Sequence, residues 1–529
     1  MNRRKFLETT TLGAAAVTAS SLATAATVAS QNCDVFVYGS TPGGLAAAIE
    51  AARRGCQVIL ACPKMHAGGM TASGLCTTDA VRRELFGGLV QEFVEGVRQD
   101  YRRELDGGEN SPDWPLIRDG WFYEPSVAER VFDRLLEAEA ERLTFLRGHH
   151  LNKATIAESK VSRVTLDPPK GEPITITAQT FIDGTYEGDL AAAAAVPCRA
   201  GRESRDEFGE SLAGIHYMDW KKGEQILTPD TGEASPAIQA FCARSIFTTD
   251  PEKLVPLEKP DNYEQHLLDL LPLLNDFETR RVTRCTPGSK IARQKYQLNG
   301  SIVRQTSINC PGVSWAWPEA DRHHRARLEK FHVDHAASYV WFLQNDPRVP
   351  DDIRGMWKRI GRHRDEFPDN NHWPWQIYVR QGRRIEGRAR VTQHNFIVDE
   401  KTGHTPRVEQ PIAIGEHSFD IHPCHDRRFA IGGKWMEGVL WYPKKAEGPA
   451  QPGQVPYGAM LPQKLDNLLV PVALSSTHIA MSVLRMEPLW MTTGQIAGLA
   501  ASVAKKQSTS VAALDPDPLP GLLDIQVVP

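Results

Sequence analysis

Residues Asp34 to Cys62 constrain the fold of this chain more than any other stretch. Val35 to Tyr38 is a short apolar run of the kind that forms a buried parallel strand. Gly39 turns the chain, and Leu45, Ala48, Ile49 and Ala52 then recur at helical spacing. Gly55 ends that helix, and Val58 to Ala61 is a second apolar strand. The pattern is a βαβ unit with a glycine-rich turn between strand and helix. Such a turn offers free backbone N–H groups and the positive end of a helix to a pyrophosphate. The turn residues Gly39, Ser40, Thr41, Pro42, Gly43 and Gly44 are therefore candidate cofactor contacts. Thr41 stands where the middle glycine of the three is expected, so its Cβ should push a phosphate away or its hydroxyl donate to one. Cys62 stands where the second strand should end in a ribose-binding acid, so ribose anchoring must come from elsewhere.

With 529 residues the chain is long enough for a large core and two or three domains. A net charge of −4 gives no sign of a nucleic-acid partner or of binding to a membrane surface. The start, Asn2-Arg3-Arg4-Lys5-Phe6-Leu7 followed by an Ala/Thr-rich run to Ala29, reads as a twin-arginine signal over residues 1–30. It implies a protein handed to the twin-arginine export machinery and located in the periplasm. Nine cysteines are scattered without a CxxC, so no disulfide scaffold or cysteine metal site is expected. His422-Pro423-Cys424-His425 carries metal-capable atoms but lacks a partner motif, and no metal is assigned.

Two further landmarks follow. Phe181-Ile182-Asp183-Gly184-Thr185-Tyr186-Glu187-Gly188-Asp189 reads as a strand, a turn and the start of an Ala-rich helix that Thr185 could cap. Asn467 to Val472 reads as an apolar strand. Ser475-Ser476-Thr477-His478 and Arg485-Met486-Glu487-Pro488 follow it, and Pro488 opens a helix running to about Ala504. Gly494, Ala497, Gly498 and Ala501 share a face of that helix, which lets backbone or cofactor approach closely. Between these landmarks lies a stretch rich in Trp, His, Arg and Pro, with strand-like runs at Gln376–Val379 and Pro411–Ile414.

Together the turn, the Gly68-Gly69-Met70-Thr71 loop, Phe122-Tyr123-Glu124-Pro125, Tyr186-Glu187-Gly188-Asp189, Tyr378-Val379-Arg380 and the segment from Leu474 to Pro488 resemble the FAD-dependent oxidoreductase family of glutathione-reductase-like fold. The nearest subgroup holds exported bacterial proteins, some labelled xanthan-lyase-like, and the resemblance covers about residues 33 to 505. It implies an α/β fold: a Rossmann-like FAD-binding domain, with a central parallel sheet and helices, interrupted by an inserted α+β substrate domain. The expected boundaries are 31–199 and 456–506 for the FAD-binding parts, 200–455 for the substrate domain and 507–529 for a tail. FAD is the implied cofactor. Gly68, Gly69 and Met70 would pass close to the flavin ring, and Asp183 would lie near its phosphate or ribityl portion. The helix at Glu487-Pro488, with Gly494, would face the pyrimidine edge and stabilise reduced flavin. Relatives tend to carry an acid where Gln381 follows Arg380 here.

For chemistry, His478 is a candidate base for a substrate hydroxyl, and Arg485 a candidate holder of an anionic substrate or of reduced flavin. His422 and Tyr378 are candidate pocket residues. The expected reaction is hydride transfer from a small organic substrate, a sugar or a hydroxy acid, to flavin N5. A quinone, a cytochrome or dioxygen would be the electron acceptor, and the oligomeric state stays open. A redox-neutral, FAD-assisted carbohydrate lyase and a noncatalytic flavin-binding protein are the alternative readings.

Overall fold

The computed structural model describes residues 29–219, 224–226, 231–274, 289–300, 307–425, 435–441 and 450–528. The export segment expected at 1–30 thus lies almost wholly outside the described residues. The apolar run after Ala29 becomes strand β1 (Ala29–Tyr38), followed by helix α1 (Pro42–Arg53) and strand β2 (Val58–Cys62). Helices α2 (Gly88–Glu104) and α3 (Pro125–Glu137) come next, then strand β3 (Leu143–Arg147). Strands β4 (His150–Ala157), β5 (Lys160–Asp167) and β6 (Ile174–Asp183) complete the first pass through the sheet.

The sheet order is β3-β2-β1-β6-β5-β4. β3, β2, β1 and β6 run parallel, whereas β5 pairs antiparallel with β6 around the Pro168–Pro173 turn, and β4 pairs antiparallel with β5. β6 is long enough to serve two neighbours. Ile174 to Ile176 pair with β5, while Phe181 and Ile182 pair in parallel with the late two-residue strand Leu468–Leu469. A strand distant in sequence therefore completes the same sheet, as expected for an interrupted Rossmann-like domain.

After the short helix α4 (Asp189–Ala193), most of the chain up to Pro456 builds smaller antiparallel pieces. The largest is a five-stranded sheet made from Leu254–Val255, Gly361–His363, Ser245–Thr248, Lys295–Leu298 and Ser289–Lys290. The 24-residue helix α5 (Arg322–Asn345) starts at Asp321, whose side chain accepts from His324 N. Pro411–Gly415 is a strand as its sequence implies, paired with Gly453–Pro456. Gln376–Val379 is not a strand: Tyr378 N donates to the Cys242 carbonyl at 2.8 Å, and Val379 N turns back to the Ile377 carbonyl at 2.9 Å.

Helix α6 (His478–Leu484) and helix α7 (Glu487–Gln507) close the fold. α7 is buried for most of its length and lies on α1. A Cβ at Gly494 would sit 2.0 Å from the Gly43 carbonyl oxygen, and one at Gly498 would sit 2.2 Å from that of Ala47. Gly494 is thus a notch for helix packing. That corrects its expected place against the cofactor: the close approach is of backbone to backbone. Among the described residues no helix is long and apolar enough to cross a membrane.

Candidate active site

A cavity of about 620 Å³ opens beyond the ends of β1 and β2. Tyr38, Gly39, Ser40 and Thr41 line it, together with Cys62, Gly69, Thr185, Tyr186 and Glu187. This is the crevice outside the carboxyl ends of parallel strands where doubly wound folds bind nucleotides.

The turn is built for close approach. Gly39 has φ +106°, and a Cβ there would lie 2.6 Å from the carbonyl carbon of Gly184. Thr41 caps α1: its Oγ1 accepts from Gly44 N at 3.2 Å and donates to the Gly184 carbonyl at 2.6 Å. The hydroxyl that stands in for the middle glycine is therefore committed inside the protein, ties the first turn to the second, and is not offered to a phosphate. Pro42 occupies the first turn of α1, Gly43 packs against Trp490 of α7, and Gly44 packs against Gly39. Only Gly39, Ser40 and Thr41 of the turn line the cavity. The Cys62 sulfur does line it, with Ser40 Oγ at 2.9 Å and Lys64 N at 3.3 Å.

Asp183 does not reach the cavity, contrary to its expected contact with the cofactor. Its carboxylate accepts from Thr185 N at 3.0 Å, Thr185 Oγ1 at 2.7 Å and Ala191 N at 2.8 Å. It shapes the turn after β6, and burial raises its pKa to about 6. Thr185 Oγ1 accepts from Asp189 N at 2.9 Å, although the residue flanking α4 is Gly188 in the left-handed region.

Beneath the cavity lies a polar layer. Met70 N donates to the Tyr186 hydroxyl at 2.9 Å, and that hydroxyl donates to Glu487 Oε1 at 2.7 Å. Gly69 lies against the same hydroxyl, 2.4 Å from where its Cβ would be, and Gly68 lies against Phe132 of α3. Glu487 opens α7, and burial raises its pKa to about 8. Glu487 Oε2 and Trp490 Nε1 are buried there without hydrogen-bond partners. The cradle at Gly39, the N-terminal end of α1 at the cavity rim and these orphaned polar atoms at the start of α7 suit a dinucleotide carrying a polar heterocycle, so the residues present fit FAD.

The inserted segment supplies the opposite wall. From α5, Arg325 grips both oxygens of Asp189 at 2.6 and 2.9 Å, and Glu329 pairs with Lys64 at 2.5 Å. Trp317 Nε1 donates to Glu187 Oε1 at 3.0 Å, and burial raises the Glu187 pKa. His66 lines the same cavity, with its Nδ1 2.8 Å from Glu129 and its Nε2 2.8 Å from Asp369. Both ring nitrogens are thus engaged by carboxylates.

The four candidate catalytic residues separate. Arg485 Nη1 donates to the Tyr378 hydroxyl at 2.7 Å, and its Nη2 reaches Asp420 Oδ2 at 2.9 Å. His422 Nε2 lies 3.7 Å from the other Asp420 oxygen, and its Nδ1 is 2.9 Å from the Asn309 amide. Tyr378, Arg485 and His422 therefore form one group around Asp420. His478 stands apart at the other end of α6, where its Nδ1 meets Gln381 Oε1 at 2.8 Å and its backbone N donates to Glu203 at 2.8 Å. It lines no described cavity, and burial, with Arg202, Arg384 and His216 nearby, pushes its pKa well below the usual value. The expected grouping of His478 with Arg485 is corrected accordingly: the two stand at opposite ends of α6.

Several wall residues escaped the sequence reading. His150 lines the cavity. Glu187, Trp317, Trp375, Arg325 and Glu329 line it too. Arg322, Arg325, Ala326 and Glu329 fall at i, i+3, i+4 and i+7 behind an aspartate cap, and that spacing was a usable signal.

Fold and site together define a flavoprotein of dinucleotide-binding architecture. Residues 34–523 match the family model described as FAD dependent oxidoreductase, and the chain belongs to that family. It is an FAD-dependent oxidoreductase. None of the curated proteins compared matches it. Among solved structures it is similar to glycerol-3-phosphate dehydrogenase from Bacillus halodurans complexed with FAD, at 15% identity over 39% of this chain and 44% of that one, with a TM-score of 0.24. It is also similar to L-proline dehydrogenase from P. horikoshii, at 12% identity over 35% of this chain and 26% of that one, with a TM-score of 0.20. OxyS anhydrotetracycline hydroxylase from Streptomyces rimosus matches at 13% identity over 44% and 41%, with a TM-score of 0.24. This chain spans less than half the length of each of these three, and at such scores they say nothing of its substrate.

Proposed function

We propose that this protein oxidises a hydroxyl-bearing small molecule, a sugar or a hydroxy acid, by moving a hydride to N5 of FAD held in the 620 Å³ cavity. The observation that carries the reading is one continuous segment. Trp375 and Gln376 line the cavity, and two residues further on Tyr378 joins the buried group of Arg485, Asp420 and His422. FAD, when bound, supplies the two-electron acceptor.

The protein's part is binding and proton handling. Burial, with Arg380, Arg485 and Arg244 nearby, holds the His422 pKa well below its usual value, so the imidazole is neutral and able to accept a proton at neutral pH. As the carbonyl forms, the hydroxyl proton passes to His422 Nε2, with the Asn309 amide turned so that its oxygen accepts from Nδ1–H, and Asp420 stabilises the resulting imidazolium. Tyr378 and Arg485 hold the substrate oxygen. Substitution His422→Asn should lower the rate of flavin reduction about 10²–10⁴-fold.

The direct test is an anaerobic titration of FAD-loaded protein with a panel of hydroxy acids and sugars. Bleaching of the yellow band that persists until an acceptor is added supports the reading. Product formed with no bleaching and no acceptor consumed would replace it with a redox-neutral, lyase-type reaction.

A further inference from the structure

Three guanidinium groups are buried around a single tyrosine ring. The Cζ atoms of Arg244, Arg380 and Arg485 lie 4.7, 4.5 and 5.6 Å from the centre of the Tyr378 ring. Their exposures are 4%, 0% and 2%. Of the three, only Arg485 reaches a carboxylate among the described residues, that of Asp420. Arg380 donates to the Ala240 carbonyl and, at 3.4 Å, to the Cys242 sulfur, and Arg244 donates to the Leu75 carbonyl at 3.3 Å. The Nε atoms of all three are buried without a partner. Among the described residues, the carboxylates that face Arg485 are Asp420 and, more distantly, Asp79.

Buried cations in such surplus are costly unless an anion pairs with them. The contact with the tyrosine ring offsets only part of that cost. Along the chain, Tyr378 and Arg380 follow Trp375 and Gln376 of the cavity wall. Arg244 is tied to Leu75, at the end of the loop that begins at Gly68, and the Arg244 carbonyl oxygen lies 2.3 Å from where a Cβ of Gly74 would be.

We infer that Arg244, Arg380 and Arg485 form a binding site for the carboxylate of the substrate, which is a hydroxy acid and not a neutral sugar. Resting on the proposed reaction, this deepens it by naming the substrate class. A guanidinium offers paired N–H donors that match a carboxylate, and an uncharged sugar would leave these donors unpaired. His422, beside the same arginines, is then placed to take the proton of a hydroxyl close to that carboxylate.

The test is titration of oxalate and malonate into FAD-loaded protein, read by the flavin difference spectrum and by calorimetry, with glycerol and glucose as neutral controls. Saturable binding of the dianions and none of the neutral compounds is expected. Arg244→Met should weaken oxalate binding tenfold or more, Arg244→Lys should recover part of it, and FAD content should be unchanged. Because Arg244 makes the fewest bonds of the three, anion-free Arg244→Met should melt no lower than the parent protein. A purely structural arginine would instead show a lower melting temperature with oxalate affinity unchanged, and that would overturn the assignment. So would equal binding of glucose and oxalate. Protein that takes up no FAD would remove the redox reading, and calorimetry of oxalate on that same protein still decides the anion site.

Discussion

Glu487 shows what a single buried carboxyl does at the start of a helix. Its Oε1 accepts from Tyr186 and its Oε2 has no partner, so burial favours the neutral acid up to a pKa of about 8. A charged carboxylate here would cancel the positive end of α7, whereas a neutral one leaves it free to stabilise negative charge. The sign of the pH effect follows. Between pH 4.5, the value of an ordinary glutamate, and about 8, the unfolded chain is ionised at this group while the folded chain is not. The folded state therefore loses stability as pH rises across that window, by about 1.4 kcal/mol per pH unit from this group, and below it the effect vanishes. Glu487→Gln should flatten the fall in melting temperature between pH 5 and pH 8 and melt higher than the parent at pH 8. Equal slopes in the two proteins would contradict this. The residue was legible as a helix opener from Glu487-Pro488, but its protonation was not, because it depends on Tyr186, 301 positions away. His478 was misplaced for the same reason: its partners, Gln381 and Glu203, come from tertiary contact.

At the scale of elements, two contacts set the cavity. The first is α7 on α1, where Gly494 meets the Gly43 carbonyl. Gly494→Ala would force these helices apart at the base of the nucleotide turn. A loss of about 1–3 kcal/mol in urea unfolding is expected, with weaker FAD retention. An unchanged midpoint would show that the helices have slack. The second is α5, which covers the cavity through Arg325–Asp189, Glu329–Lys64 and Arg322–Asp167 pairs at 2.6, 2.5 and 3.8 Å. Arg325→Met should speed FAD release on dilution, followed by recovery of flavin fluorescence, and high salt should narrow its difference from the parent. The parallel strands were legible because buried strands are continuous apolar runs. Gln376–Val379 misled because a four-residue alternation fits a strand or an irregular segment equally well, and here the backbone donors go to Cys242 and Ile377. α5 was legible as a helix face, but not as the wall of a cavity that begins about 280 residues earlier.

At the scale of the whole molecule, the chain returns to its first sheet after a long excursion. β6 pairs with β1 along its length and with Leu468–Leu469 at its end, which brings α7 beneath the loop at Gly68–Met70. The excursion contributes α5, Trp317, Trp375 and, around Tyr378, Arg244 and Arg380, which Arg485 joins after the return. One cradle is thereby assembled from stretches that share no local sequence, and its central claim is that it holds one FAD. The most direct measurement is the absorption spectrum of purified protein incubated with excess FAD and then passed through a desalting column. A yellow protein fraction with one FAD per chain is the predicted result. A colourless fraction from folded protein would contradict the account.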